Sequence, residues 1–347
     1  MNVLFDVVHP AQVHFFKNVI RKLKSRGDNV QVTSREKDVT VDLLNASNIE
    51  HVTISRKGKG LWGMGLELLS RDIKLLRLVG QFQPDVMVSR VGVSIGPVGK
   101  LVGIPTVVYD DMEHARLQAT IGMTFATYIC TGLGYYRDFG KRHVRFKGLH
   151  VLSYLSPDYY EPDPHSLLNY GVDPAKPYIF IRMVSWGAAH DAGKAGLSES
   201  QLQKMISSLR EKGRIIISSE NPLPSDLKEF ENPVPIENVF DLMAFARLCL
   251  VESGSMAAEA AALGIPTIAI NTFDFQLGYL KALEKQYGLL FQPKTLDEIV
   301  EITDNLLSQN DMQQSFQTKR QKLLAESEDV VQFQLDMIEK TVFENPR

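Results

Sequence analysis

Short apolar runs alternate with segments of helical periodicity from the start of the chain. The runs at 3–8 and 29–35 have the composition of strands, and the segment 13–27 between them has apolar residues at helical spacing. Gly27 is a plausible end for that helix. The same alternation resumes at about residue 178. Strands that alternate with helices of this length predict right-handed crossovers and parallel sheets.

One motif occurs twice, at corresponding places in the two halves of the chain. Residues 99–109 read GKLVGIPTVVY, and residues 260–270 read AAALGIPTIAI. In each, a glycine can take the left-handed conformation that ends a helix, and the proline beyond it prevents continuation. We therefore predict an α/β protein with two doubly wound, Rossmann-like domains that face a central cleft, where ligands bind at the carboxyl ends of the strands.

A polar, proline-rich segment separates the two halves. We predict an N-terminal domain over 1–155, a linker over 156–176 and a C-terminal domain over 177–328. The helix predicted at 329–347 has one apolar face, which would let it fold back onto the N-terminal domain.

Composition narrows the class of protein. The chain has 347 residues, 44% of them hydrophobic, which suffices for two domains with sizeable cores. The net charge of −3 argues against general nucleic-acid binding. Cys130 and Cys249 lie far apart, which fits a reducing compartment and offers no zinc spacing. The first apolar run is too short for a signal peptide, and no run reaches the ~18–20 residues of a membrane span. We expect a cytoplasmic protein without stable membrane insertion.

The sequence VESGSMAAEAAALGIPTIAI at 251–270 is the strongest candidate site. The turn Ser253-Gly254-Ser255 precedes a helix expected to start at about Ser255, where free N–H groups and the helix dipole favour an anion such as phosphate. Glu259 lies one helical turn past Ser255 and could accept hydrogen bonds from the vicinal hydroxyls of a ribose. The alternative is an ordinary serine cap followed by a solvated glutamate.

Two histidines flank a helix start expected at about Gln12. His9 and His14 lie in DVVHPAQVHFFKN, where a histidine could act as the general base for an acceptor hydroxyl. The alternative is that both make only loop or cap hydrogen bonds.

A loop rich in small residues follows the strand expected at 178–184. Arg182 or His190 could neutralise a leaving diphosphate, and Asp191 could orient His190. No metal pattern is evident, because an isolated His-Asp pair is far short of a ligand set. The alternative is a surface loop in which Trp186 covers a core.

Two further segments carry charge. Asp110, Asp111 and Glu113 follow an apolar strand, and the simplest role for the two aspartates is in a solvated loop or a helix cap. The basic segment 56–65, RKGKGLWGMG, could touch an anionic acceptor or a membrane surface. We expect a solvated loop there, because stable membrane anchoring usually needs two signals.

The motif SGSMAAEAAALGIPTI resembles the donor site of GT-B-type nucleotide-sugar enzymes. In the non-hydrolysing UDP-GlcNAc 2-epimerases the matching segment is Ser-Gly-Gly-x-x-x-Glu followed by Gly-x-Pro, and the glycosyltransferase that makes lipid II has a related helix. The resemblance implies that Ser253, Gly254 and Ser255 hold the diphosphate and that Glu259 holds the ribose. Through HPAQVHFFKN, MVSWGAAHD and ESGS, nearly the whole chain also resembles an uncharacterised GT-B-like family.

The chain departs from these enzymes at three places. GT-B transferases often have Pro-Gly-His-x-x-Pro in the first loop, whereas Gln12 occupies the usual histidine position here, so His9 or His14 would have to substitute. Glu113 matches the glutamate of the epimerase motif Val-Glu-Ala-Gly-x-Arg, which does proton chemistry at the sugar. However, Arg90 and Gly92 stand where epimerases carry an aspartate, and MVSWGAAHD replaces the epimerase loop Gly-His-Arg-Arg-Glu.

The resemblance and the candidate residues together predict a metal-independent GT-B-like glycosyltransferase. It would transfer a sugar from a nucleotide-diphosphate donor, such as a UDP-sugar, to a surface glycan, a lipid-linked acceptor or a related molecule. The C-terminal domain would hold the donor, and the N-terminal domain would hold the acceptor. The alternatives are a nucleotide-sugar 2-epimerase and a non-catalytic nucleotide-sugar-binding protein. We expect no cofactor besides the nucleotide-sugar substrate, and the sequence leaves a homodimer open.

Overall fold

The computed structural model describes two compact units. The first comprises Met1–Tyr154 and Ser327–Arg347, and the second comprises Leu155–Glu326. The structure describes residues 1–58, 60–113, 116–184, 199–270 and 277–345.

The first unit contains a parallel sheet of seven strands. They are β1 (Asn2–Val7), β2 (Asn29–Glu36), β3 (Val52–Arg56), β4 (Val86–Arg90), β5 (Thr106–Asp110), β6 (Tyr128–Thr131) and β7 (His143–Arg145). The strand order is β3-β2-β1-β4-β5-β6-β7, and the direction of winding changes between β1 and β4. In a doubly wound sheet this switch point is where ligands bind.

Helices connect these strands. They are α1 (Pro10–Ser25), α2 (Thr40–Ala46), α3 (Gly60–Phe82), α4 (Ile95–Val102), α5 (Arg116–Thr124) and α6 (Leu152–Leu155), with a 3₁₀ turn at Gly140–Arg142. The apolar face of α1 is fully buried at Phe16 and Leu23, and the Phe5 ring of β1 packs 5.3 Å from that of Phe16. The apolar residues whose spacing predicted the first helix are therefore the ones that pack against the sheet.

The C-terminal helix belongs to the first unit. Helix α14 (Val330–Glu344) begins where Asp329 accepts hydrogen bonds from the N–H groups of its first turn. Gln334 donates to the backbone carbonyl of Phe15 in α1 at 3.2 Å. This helix covers most of the segment 329–347 that the sequence predicts as a helix returning to the N-terminal domain.

The second unit contains a parallel sheet of five strands. They are β8 (Tyr178–Met183), β9 (Arg214–Ser219), β10 (Leu248–Val251), β11 (Thr267–Ala269) and β12 (Leu290–Phe291). The order is β12-β11-β10-β8-β9, with the switch point between β8 and β10. Its α-helices are α7 (His165–Leu168), α8 (Glu199–Leu209), α9 (Val239–Ala244), α10 (Gly254–Ala262), α11 (Gly278–Ala282), α12 (Leu296–Ser308) and α13 (Met312–Glu326), joined by shorter helical turns at Ser225–Phe230, Ile236–Asn238 and Leu283–Tyr287.

The segment 156–176, predicted as a linker, is packed within the second unit. The buried carboxylate of Asp241 accepts hydrogen bonds from the Tyr160 hydroxyl at 2.5 Å and the Ser166 hydroxyl at 2.7 Å. The backbone N–H of Asp163 adds a third donor at 3.0 Å. A buried carboxylate requires such donors, so Asp241 fixes the segment against α9.

The repeated Gly-Ile-Pro motif has the same geometry in both units. Gly103 follows α4 with φ 71° and Gly264 follows α10 with φ 74°, both in the left-handed region. The carbonyl of Pro105 accepts a hydrogen bond from β4, and the carbonyl of Pro266 accepts one from β10. The predicted helix stops are confirmed, and each also sets the register of the strand that follows.

Candidate functional site

The turn between β10 and α10 lies at the switch point of the second unit. Ser253 is the N-cap of α10, and its hydroxyl accepts a hydrogen bond from the N–H of Met256 at 3.4 Å. The helix therefore starts at Gly254, one residue earlier than the sequence predicted, because Ser253 supplies the cap. The N–H groups of Gly254 and Ser255 lie in the first turn and have no intrahelical acceptor, so both point toward the positive end of the helix dipole.

The backbone at Gly254 is closely approached by the start of α11. A β-carbon at this position would lie 2.9 Å from Leu277 Cδ1 and 3.2 Å from the Tyr279 hydroxyl. Ser253 is half-buried and Ser255 is exposed. The turn thus presents two serine hydroxyls and first-turn N–H groups, and a larger residue at 254 would displace its neighbours.

Glu259 lies on the buried side of α10. Only 6% of this residue is exposed, and the alanines on either side of it are also buried. The alternative that Glu259 is a solvated glutamate is therefore wrong. A carboxylate buried to this extent must be hydrogen-bonded, which makes it a fixed acceptor group behind the turn.

Arg182, at the end of β8, is held toward β9. Its guanidinium donates to the Ser218 hydroxyl at 2.9 Å and forms an ion pair with Glu220 at 3.1 Å. Strand β9 lies on the opposite side of β8 from β10. As it stands, Arg182 is directed away from the Ser253 turn.

Glu252 is a site residue that the sequence analysis missed. Only 8% exposed, it directly follows β10 and accepts a hydrogen bond from the N–H of Val184 at 2.8 Å. The available signal was an acidic residue placed immediately after the apolar run LCLV.

The rest of the loop after β8 was also predicted to carry function. His190, Trp186 and Asp191 lie outside the described residues. The last described residue of this loop before them is Val184.

His9 lies at the switch point of the first unit, as the N-cap of α1. Its Nδ1 accepts a hydrogen bond from the N–H of Ala11 at 3.3 Å. The helix starts at Pro10 instead of about Gln12, because proline is well suited to the first helical position. Desolvation of the ring, with the positive charges of Lys37 and Arg90, lowers the pKa of His9. Because Nδ1 accepts the capping hydrogen bond, the neutral ring carries its proton on Nε2. Nε2 is therefore available as a hydrogen-bond donor.

His14 lies one turn further along α1. Its ring centroid is 5.4 Å from that of Tyr154. Burial and the positive charge of Lys17 lower the pKa of His14 to about 4, so this histidine is neutral at pH 7. Five helical positions separate His14 from His9, which places the two side chains about 140° apart around the helix axis. The two rings therefore do not share one face of α1.

A buried charge cluster at the ends of β4 and β5 was also missed. Arg90 forms an ion pair with Asp111, and His150 Nδ1 lies 3.7 Å from the second oxygen of that carboxylate. The Arg90 guanidinium also lies 5.5 Å from the centre of the Phe15 ring. Burial opposes ionisation of Asp111, but Arg90 and His150 outweigh it and hold the pKa of the carboxyl below its usual value. The prediction that Asp111 is a solvated or capping residue is therefore wrong.

The other two acids of this loop are also buried. Asp110 and Glu113 are each 1% exposed, and Asp110 accepts a hydrogen bond from the Tyr135 hydroxyl at 2.5 Å. Burial raises the pKa of Asp110, although the Tyr135 hydrogen bond opposes this. A solvated loop position for Asp110 is wrong as well, because its carboxylate is buried at the end of β5 and hydrogen-bonded to Tyr135.

Across the described residues, no three His, Cys, Asp or Glu side chains come together as a set that could hold a metal ion. Within the same part of the chain, the helices are too short or too polar to span a bilayer.

Solved structures that resemble this chain define the class of its fold. UDP-GlcNAc 2-epimerase from Neisseria meningitidis bound to UDP-GlcNAc is similar with a TM-score of 0.72 at 13% identity, covering 98% of this chain and 100% of that chain. The calicheamicin glycosyltransferase CalG4 is similar with a TM-score of 0.61 at 13% identity, covering 99% of each chain. The fold is the GT-B fold of nucleotide-sugar epimerases and glycosyltransferases.

The family is shown by the sequence itself. Residues 1–342 match the model of the family described as "Protein of unknown function (DUF354)", and the chain belongs to that family. It is also 24% identical over 319 residues to the uncharacterized protein MJ0665 of Methanocaldococcus jannaschii, an alignment that covers 88% of this chain and 92% of that protein.

Proposed function

We propose that this chain is a nucleotide-sugar enzyme, and specifically a glycosyltransferase that uses a nucleotide-diphosphate sugar, such as a UDP-sugar. The observation that carries the proposal is the β10–α10 turn, where the Ser253 cap and the first-turn N–H groups lie at a strand-order switch point, with the buried Glu259 one helical turn further along α10. Such switch points bind ligands in doubly wound sheets. Two proteins of similar fold are a UDP-GlcNAc 2-epimerase solved with UDP-GlcNAc bound and the calicheamicin glycosyltransferase CalG4.

On the donor side, each group of the turn has a separate task. The N–H groups of Gly254 and Ser255 and the hydroxyls of Ser253 and Ser255 bind the diphosphate, because they are donors at the positive end of a helix. Glu259 accepts hydrogen bonds from the ribose hydroxyls. A carboxylate is suited to the ribose and not to the diphosphate, whose charge it would repel.

The charge that develops on the leaving diphosphate needs further stabilisation. We assign this role to Arg182 and His190. Glu220, the partner of Arg182, has half of its side chain exposed, so this ion pair is weak and can be exchanged for a diphosphate. Together with the α10 terminus, these residues would provide electrostatic stabilisation of the departing group.

On the acceptor side, an acceptor hydroxyl attacks the anomeric carbon as the bond from that carbon to the diphosphate breaks. His9 orients the acceptor as a hydrogen-bond donor through Nε2, because its Nδ1 already accepts from Ala11. The hydroxyl proton passes to a base, for which His14 and Glu113 are the two candidates. His14 is neutral at pH 7, which is the protonation state that a base requires.

A nucleotide-sugar 2-epimerase is the second candidate, favoured by the buried Glu113 at the end of β5. The charge cluster weighs against it, because Arg90 stands at the end of β4, where the epimerases carry an acid, and is paired with Asp111. Incubation with UDP-GlcNAc alone separates the two. Epimerisation without any acceptor would exclude the transferase, whereas transfer only after an acceptor is added would support it.

A screen for donors comes first. Bound donor raises the apparent melting temperature by mass action, so a thermal-shift panel of nucleotide sugars with different bases should single out one donor. Tight UDP binding without a product from any acceptor would indicate a non-catalytic nucleotide-sugar-binding protein. Cys130 and Cys249 are free thiols and both are buried, which supports a cytoplasmic setting for the proposed reaction.

A further inference from the structure

Helix α3 exposes a row of apolar side chains to solvent. Leu66, Leu69 and Ile73 are 68%, 64% and 53% exposed. The spacing of three and four residues places Leu66, Leu69 and Ile73 on one face of the helix. We call these three residues the α3 stripe. Scattered exposed apolar residues need no explanation, but a contiguous row marks an interaction surface.

Unpaired cations border the α3 stripe. Lys74 and Arg77 are exposed, and neither forms an ion pair within the described ranges. Lys74 also lines a groove with Leu66 and with Arg56 of the edge strand β3. The acid in this groove, Glu67, is neutralised by Arg35 through two hydrogen bonds of 2.6 Å. Arg56 is paired with Glu36, so Lys74 and Arg77 are the cations that give this side of the stripe its positive charge.

The structure changes what the sequence indicated for this region. The segment 56–65 was expected to be a solvated basic loop, but the described residues from Gly60 onward belong to α3. Positive charge alone is one signal for binding to a membrane surface, and the exposed apolar face of the same helix is a second. The binding of a helix to a bilayer surface grows with the apolar area that it buries and with the attraction of its cations to anionic lipids.

We propose that the α3 stripe, with Lys74 and Arg77, docks the chain onto an anionic membrane surface. The apolar side chains enter the boundary between headgroups and acyl chains, and the two cations contact anionic headgroups. The helix lies in the plane of the surface and does not cross it. The α3 stripe belongs to the first unit and the proposed nucleotide turn to the second, and the role of the stripe does not depend on the reaction proposed at that turn.

The positive charge beside the α3 stripe favours an anionic membrane as its binding partner over a second copy of the chain. A two-fold dimer through α3 would bring two copies of the same patch together, each carrying the charges of Lys74 and Arg77. Glu67 could not compensate, because Arg35 already neutralises it. Anionic headgroups complement the cations and accept the apolar side chains at the same time.

Vesicle co-sedimentation of the full chain tests the proposal. We expect binding to phosphatidylcholine vesicles that contain about 30% phosphatidylglycerol, and little binding to phosphatidylcholine alone. Leu66→Ser combined with Leu69→Ser should weaken binding to the anionic vesicles about tenfold, because the apolar contribution is lost. Lys74→Glu combined with Arg77→Glu should abolish the preference for anionic vesicles.

Leu101→Ser provides the matched control. Leu101 is 73% exposed but lies on α4, so the same substitution there should leave vesicle binding unchanged. The substituted residues are exposed, so melting temperatures should stay close to the wild type. The proposal is overturned if the wild type ignores anionic vesicles, or if the stripe variant binds them as well as the wild type does. A wild-type dimer that fails to bind vesicles and becomes monomeric in the stripe variant would assign the stripe to self-association instead.

Discussion

Val184 and Glu252 join the ends of two neighbouring strands at the switch point of the second unit. The N–H of Val184 donates to the Glu252 carboxylate at 2.8 Å, and the N–H of Glu252 donates to the Arg182 carbonyl at 3.0 Å. One buried residue thus fixes both the start of the loop after β8 and the start of the turn after β10. The positions of Arg182 and Ser253 both depend on it.

Replacement of Glu252 should destabilise the second unit. Glu252→Ala leaves the Val184 N–H without this acceptor, at a cost of about 1–3 kcal/mol in the free energy of unfolding. Glu252→Gln keeps an oxygen acceptor and should recover part of the loss. Denaturant unfolding measures both, and exposed Glu237→Ala serves as a control with little expected effect. Equal stability of the alanine variants at 252 and 237 would show that the hydrogen bond contributes nothing.

Ser253 should affect both stability and ligand binding. Ser253→Ala and Thr295→Ala each remove the N-cap side chain of a helix in the same unit, and each should cost roughly 1 kcal/mol in stability. Only Ser253→Ala should weaken UDP binding, and it should affect UDP more than uridine because the serine contacts phosphate. Calorimetric titration of both ligands gives the comparison. A similar loss for uridine and UDP, or a similar loss in the Thr295 variant, argues against a diphosphate contact.

The effects of replacing Arg90 and Asp111 on the free energy of unfolding should be strongly coupled. Removing one partner of a buried ion pair leaves an uncompensated charge and costs about 3–5 kcal/mol. Arg90→Met and Asp111→Asn should therefore each destabilise the first unit. The double variant should lose less than the sum of the two, because no lone charge remains. Additive losses in a double-mutant cycle would mean that the two side chains do not stabilise each other.

The first unit should lose stability as the pH falls from about 6.5 toward 4. Burial, partly offset by the negative charge of Asp111, lowers the pKa of His150 to about 4. Burial also lowers the pKa values of His14 and His9 to about 4. Between these pH values each of these histidines binds a proton in the unfolded chain but not in the folded chain, so acid favours unfolding. The expected loss is about 2–3 kcal/mol for each of His150 and His14, and less for His9, which is more exposed to solvent. Asp111, whose pKa is lowered, adds a loss of the same sign at still lower pH.

His150→Gln isolates the contribution of that histidine. The variant should lose less stability than the wild type between pH 7 and about pH 5, because glutamine does not take up a proton. His165→Gln, at an exposed position, should retain the wild-type slope. An unchanged pH dependence in His150→Gln would remove His150 as its cause.

The fold was largely predictable from local signals. Alternating strand and helix patterns predicted two parallel sheets, and the repeated Gly-Ile-Pro motif marked two helix ends that the structure confirms at Gly103 and Gly264. These features depend on backbone conformation and apolar periodicity, both of which can be read over a few residues.

The site was less predictable because its geometry depends on sheet order and on side-chain choices. Arg90 and Asp111 are distant in sequence and meet because β4 and β5 are adjacent strands. Helix α10 starts at Gly254 and not at the predicted Ser255, because Ser253 and not Ser255 is the N-cap of the helix. Composition alone could not distinguish these arrangements.

The central claim is that the β10–α10 turn and Glu259 bind the nucleotide of a sugar donor. Calorimetric titration of UDP into the wild type, Glu259→Ala and the exposed-site control Glu301→Ala tests it most directly. We predict that the wild type and the control bind UDP alike, and that Glu259→Ala binds about tenfold more weakly without unfolding, because the hydrogen bonds to the ribose are lost. The same UDP affinity in Glu259→Ala and the wild type, or no UDP binding by the wild type, would contradict the account.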